Sequence, residues 1–166
     1  MLRSRRNVRE YTGEPIARAL LDQILEAGRR SPSSRNWQPW DFVVVTDRGQ
    51  LAELAKVWRG AGHVARSAAT IALVAPVPAD ERQRDWVQYD LGQATMSIML
   101  AAADLGIGSG HSAVAEQRLA SKVLGFPNDK FCAYLIALGY PAGRPLAPIK
   151  RPDRRPFDTV VHWATW

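Results

Sequence analysis

The residues best equipped for chemistry in this 166-residue chain are arginines near its two ends. Arg5, Arg6 and Arg9 follow Arg3, with Asn7 among them, and Arg154 and Arg155 sit in a second basic stretch with Arg144, Lys150 and Arg151. Residues 1–9 and 144–155 together hold nine basic groups and one acid, Asp153, while the other 145 residues hold 13 basic and 15 acidic groups. The net charge of +6 therefore resides at the ends, and the body is nearly neutral. Guanidinium groups match phosphate oxygens in a bidentate fork. Two such clusters suit one small anion, such as a phosphate group, if the ends converge; otherwise they are two solvated tails. A nucleic-acid binder more often spreads its charge over a face or a helix, so no nucleic-acid partner is expected.

A second candidate is Gly106-Ile107-Gly108-Ser109-Gly110. A dinucleotide fingerprint needs a strand before the glycines and a helix after them. Here a long helical pattern comes first, so that reading fails. Two remain: a flexible helix end capped by Gly106, or a run of exposed backbone that lets a flat ligand come close.

The remaining reactive residues form no known constellation. His63, His111, His162 and Cys132 lack the spacing of a zinc site, so no metal is expected. Cys132 reads as inert strand core. Asp80, Glu81 and Asp85 read as a charged loop beside Arg82 and Arg84, not as a catalytic pair. No Gly-x-Ser-x-Gly elbow is present. If the chain is an enzyme, a bound cofactor carries the chemistry. A single cysteine excludes an intrachain disulfide and points to a reducing, cytoplasmic home. The longest apolar stretch, residues 96–103, falls far short of the roughly 18 needed for a membrane span. The basic N-terminus has no apolar run behind it, unlike a secretory signal.

The elements that must position these groups read as mixed α and β. Leu20, Leu21, Ile24 and Leu25 predict a helix over about 16–30, started by Pro15 and ended at Ser31-Pro32. Phe42–Thr46 and Thr70–Val74 read as buried strands, with a helix over 50–58 between them. Residues 86–105 predict a long helix: Val87, Leu91, Ala94, Ile98, Ala101 and Leu105 make one seam. Met96, Met99, Leu100 and Ala103 make a second apolar face, which implies burial on both sides and hence a dimer. Residues 106–110 turn the chain, a helix covers 115–124, and 131–140 form a third strand. Residues 141–166 read as a proline-rich arm of a single domain, with Val160–Trp163 as a last short strand. Trp163 and Trp166 at its end are costly to leave in water.

Three segments together resemble the FMN-dependent nitroreductase family, of which this would be a short member. Arg5-Arg6-Asn7-Val8-Arg9 is similar to the family's N-terminal Arg-Arg-Ser-x-Arg, with Asn7 in place of Ser. Residues 31–45, with Pro32-Ser33-Ser34-Arg35-Asn36-Trp37-Gln38-Pro39-Trp40, resemble its Pro-Ser-x-x-Asn-x-Gln-Pro-Trp segment leading into a strand. Residues 154–163 resemble its basic C-terminal segment, and 90–110 its central helix and glycine turn. The resemblance implies an α+β homodimer with a mostly antiparallel sheet flanked by helices and with C-terminal arms exchanged between subunits. It also implies FMN at the interface. Arg5, Arg6 and Asn7 would hold the phosphate and ribityl chain, with Arg154 and Arg155 closing on the phosphate and Arg9 near the pyrimidine edge. Pro32, Ser33, Ser34 and Asn36 would approach from the other subunit, and Gly108, Ser109 and Gly110 would pass over the ring toward N5. No side chain is expected to be catalytic, because flavin N5 carries hydride from NAD(P)H to nitroaromatics or quinones by ping-pong turnover. Relatives with another acceptor, with a deazaflavin, or with bound flavin and no turnover are the alternatives.

Overall fold

Two aspartates set helix starts in this computed structural model, which describes residues 4–166. The Asp47 carboxylate accepts from Gln50 N at the head of the helix Arg48–Leu54, and Asp80 accepts from Gln83 N at the head of Glu81–Asp104. Each thus satisfies a backbone donor that the first turn leaves free. In chain order the main elements are α1 (Arg18–Arg29), β1 (Asp41–Val45), α2 (Arg48–Leu54), β2 (Ala69–Pro76), α3 (Glu81–Asp104), β3 (Gly108–Ala113), α4 (Gln117–Leu124) and β4 (Lys130–Gly139). Short 3-10 turns lie at Ser34–Asn36, Gly62–Arg66 and Phe157–Thr159.

The four strands form one antiparallel sheet in the order β1-β2-β4-β3. Both faces are covered, so β2 is buried at nearly every position. On one face Ile71, Leu73, Ile136 and Leu138 pack with Ile24 of α1 and Leu91 and Ile98 of α3. On the other, Ala72, Val74, Cys132 and Leu135 pack with Leu51 and Leu54 of α2 and Ala120 of α4. This is the α+β layering anticipated from the sequence. Burial pushes the Cys132 thiol up to about 12, in keeping with inert core.

Three readings need correction. First, only Gly106 turns the chain, with φ +73; Gly108, Ser109 and Gly110 are strand, paired with Gly139, Leu138 and Ala137. Their low intrinsic strand preference is overridden by the β4 ladder. Second, Val160–Trp163 is not a strand, because it has no pairing partner among the described residues; a 3-10 turn precedes it. Third, α3 begins at Glu81, so Asp80, Glu81 and Asp85 belong to a capped helix start and not to a loop. Similarly, Asp47 starts α2 two residues earlier than the apolar pattern indicated.

The chain ends run along the sheet's β3 side. Asn7 bridges Ser109 in parallel, Val8 N donates to Ser109 O at 2.8 Å, and Tyr11 bridges Pro141. The opposite edge, β1, pairs only with β2 among the described residues. A groove of about 550 Å³ lies between this edge and α1, lined by Ile16, Leu21, Leu25 and Val44 with Arg18 and Arg48. No helix of the described residues is long and apolar enough to cross a membrane.

Candidate functional site

The N-terminal segment is held against β3 because two glycines leave room for it. A Cβ on Gly108 would stand 2.8 Å from Val8 Cβ, and one on Gly110 would stand 2.4 Å from the Val8 carbonyl oxygen. The close approach that the glycine run permits is therefore to the chain's own arm. Tyr11 adds a second hold, donating its hydroxyl to Val8 O at 2.7 Å, with Ala137 O at 3.2 Å.

This docking gathers the predicted cations. Arg5 reaches inward, with Nη2 3.3 Å from Asn7 Oδ1 and 3.4 Å from Met99 Sδ. Arg6 donates to the Pro145 carbonyl and so ties the N-terminal arm to the C-terminal one. Burial first, then the Arg154 charge, holds the Arg5 guanidinium below the ordinary arginine value. Partial burial and then Arg5 and Arg9 likewise lower the pKa of His111. No ion pair among the described residues neutralises Arg5, Arg6, Arg9 or Arg154. Arg5 Nε is buried with no hydrogen-bond partner among them. Mutually repelling cations around an orphaned buried donor are the electrostatic outline of an anion site. The two basic arms touch at Arg6 and Pro145. Arg155 instead donates to Thr159 O at 2.6 Å, within its own arm.

The second group, Pro32, Ser33, Ser34 and Asn36, lies elsewhere. Ser31 Oγ donates to Ser97 Oγ at 2.8 Å, anchoring the end of α1 to α3. Ser33 Oγ accepts from Gln38 N at 2.9 Å, and Asn36 Oδ1 accepts from Gln38 Nε2 at 3.2 Å. Ser34 bonds to Asp90 of α3 through its amide and its hydroxyl. No hydrogen bond among the described residues joins this loop to the Arg5–Arg9 arm.

The sequence reading overlooked Asp90, Met99 and His63. Asp90 carried a visible signal: a lone carboxylate in the buried stripe of Val87, Leu91 and Ala94. Met99 is buried, as expected of the second apolar face, and the unforeseen feature is that it meets Arg5. The outer face of α3 is Trp86, Tyr89, Gln93, Met96, Leu100 and Ala103, with Tyr89 69% and Met96 43% exposed. His63 is buried with Nε2 3.2 Å from Gly110 O; a carbonyl only accepts, so Nε2 carries the proton.

Residues 2–71 and 50–140 match the profile of the nitroreductase family. The chain belongs to that family. A protein of Archaeoglobus fulgidus, provisionally named as an NADH dehydrogenase or NAD(P)H nitroreductase, is 34% identical over 146 residues, which span 85% of this chain and 83% of that one. The FMN reductase [NAD(P)H] of Bacillus subtilis is 26% identical over 99% of this chain and 72% of its own length. The FMN-dependent nitroreductase of Clostridium difficile R20291 shares the nitroreductase fold, with TM-score 0.85 and 24% identity over 100% of both chains.

Proposed function

We propose that this nitroreductase-family chain is an NAD(P)H-dependent flavin oxidoreductase of the cytoplasm, holding FMN between two copies and reducing nitroaromatics, quinones or similar acceptors. The observation that carries this reading is the buried, unpartnered Arg5 Nε together with the contact of the two basic arms at Arg6 and Pro145. A phosphate monoester supplies the charge and acceptor oxygens that this cluster lacks. When bound, FMN supplies hydride transfer at N5, with NAD(P)H and acceptor using the same face in turn.

The protein's part is binding, orientation and electrostatics. Arg5, Arg6 and Asn7 hold the phosphate and ribityl chain, and Arg154 closes on the phosphate; Arg155, which donates to Thr159 O in the single chain, reaches the phosphate only if that bond is given up. Arg9 supplies positive charge at the pyrimidine edge, favouring the reduced flavin. Gly108, Ser109 and Gly110 border the ring. Pro32, Ser33, Ser34 and Asn36 come from the second subunit, which accounts for their separation from the arginines within one chain. Two features support the dimer. The outer residues of α3 recur at alternating steps of three and four, the spacing of a helix-packing seam. The arm ends in Trp163 and Trp166, 83% and 100% exposed, while β1 offers a free edge and an apolar groove.

The test is the visible spectrum of the purified protein, before and after anaerobic NADH or NADPH. A yellow protein that bleaches is expected, and the effective nucleotide names the donor. A protein still colourless after FMN is added and the excess removed refutes the reading.

A further inference from the structure

Asp90 is the only buried carboxylate among the described residues, fully withdrawn from solvent in the middle of α3. Such a group is costly unless hydrogen bonds replace its water. No cation pairs with it among the described residues. All three of its hydrogen bonds come from one residue: Ser34 N lies 3.0 Å from both Oδ1 and Oδ2, and Ser34 Oγ lies 3.1 Å from Oδ1. The segment thus gripped is strained. Arg35, Asn36 and Gln38 have φ of 53, 57 and 54, left-handed backbone that L side chains disfavour. Strained residues this close together persist only where their surroundings over-determine them. The bonds from Gln38 to Ser33 and Asn36 are internal to the loop and cannot fix it to the body. Asp90 can, and Arg35 stacking over Trp86, 5.4 Å from guanidinium carbon to ring centre, reinforces the hold one helical turn away.

We infer that Asp90 is a positioning residue, whose carboxylate grips Ser34 and holds residues 33–38 in their flavin-facing shape before FMN arrives. This rests on the reading that the loop meets the flavin in the dimer. Because the loop's shape is set by α3, its ordering cost is met on folding and not on cofactor binding.

The test uses the full chain freed of FMN, with D90N, D90A and S34A beside the wild type. Hydrogen exchange at the amides of residues 34–36 reads the loop without cofactor. Flavin fluorescence titration reads affinity, and visible circular dichroism reads the asymmetry imposed on bound FMN. Expected are faster exchange at Ser34 and about tenfold to a hundredfold weaker FMN binding in D90A. D90N, which keeps one acceptor oxygen, is intermediate with altered flavin dichroism; S34A, which keeps its amide bond, loses least. If D90A does not fold, the ordering of D90N below S34A in FMN affinity carries the test. Unchanged exchange in D90N and D90A, or faster exchange with undiminished FMN affinity, overturns the positioning role alone. A wild type that binds no FMN overturns the flavin reading, and the positioning role with it.

Discussion

Val8 N donates to Ser109 O at 2.8 Å, and the strand receiving it has a glycine on either side of the acceptor. This bond fixes how far the Arg5–Arg9 arm can stand from β3. G110A places a methyl 2.4 Å from the Val8 carbonyl, so the arm backbone must move. A stability loss of about 1–3 kcal/mol is expected from such overpacking. Chemical denaturation measures it, and weaker FMN retention should accompany it. An unchanged midpoint with full retention would show that the arm is not held as described.

The proposed phosphate role of Arg154 makes a prediction about which part of the flavin it sees. R154A should weaken FMN binding about tenfold or more, since a hydrogen bond to a charged group is lost. Riboflavin, which has no phosphate, should bind wild type and R154A alike. Parallel fluorescence titrations decide it; equal losses for both ligands would place Arg154 away from the phosphate.

The outer stripe of α3 should be an interface. Met96, 43% exposed, sits among Tyr89, Gln93 and Leu100. In the proposed dimer M96E sets a carboxylate into a largely apolar contact, where an unpaired buried charge costs several kcal/mol. Sedimentation should show a monomer that retains helix content but has lost its flavin. A dimeric, yellow M96E would remove α3 from the interface.

His63 gives stability a pH dependence. Burial is the largest cause of its lowered pKa; the backbone of Gly110 and, less, of Gly60 opposes the shift, and the Arg9 and His111 charges add to it. In the folded chain Nε2–H faces Gly110 O and Nδ1 is buried without a partner. The unfolded chain takes up a proton near the ordinary value of 6.5, which the folded chain refuses until lower pH. Stability is therefore full above that value and falls as pH drops through the window beneath it. Urea midpoints at about pH 7.5 and about pH 5.5 should differ in that direction. H63Q should flatten the difference in part, because His111 is shifted the same way.

Much of this arrangement was legible in the residues. The charge imbalance set the two basic arms apart from the body, and Arg6 does tie one arm to the other at Pro145. The β-branched runs of β1 and β2 and the apolar periodicity of α1 and α3 declared themselves. What escaped notice was set by neighbours distant in the chain. β3 reads Gly-Ser-Gly-His-Ser-Ala, and nothing local makes it a strand; β4 does. Met99 looked like its neighbours on an apolar helix until the arm brought Arg5 to it. Asp90 stood out as a carboxylate within an apolar stripe, but its partner Ser34 lies 56 positions away and nothing local points to it.

The open edge of β1 and the exposed aromatic arm also bear on how the chain reaches its working form. A solitary copy presents an unpaired strand edge, an apolar groove and two uncovered tryptophans at once. Such surfaces invite promiscuous pairing until a matching copy covers them. If exchange of arms closes the edge, folding and assembly are one equilibrium, and resistance to unfolding rises with protein concentration. Dilution alone then becomes a denaturant, acting first on the arm and the flavin it helps to enclose.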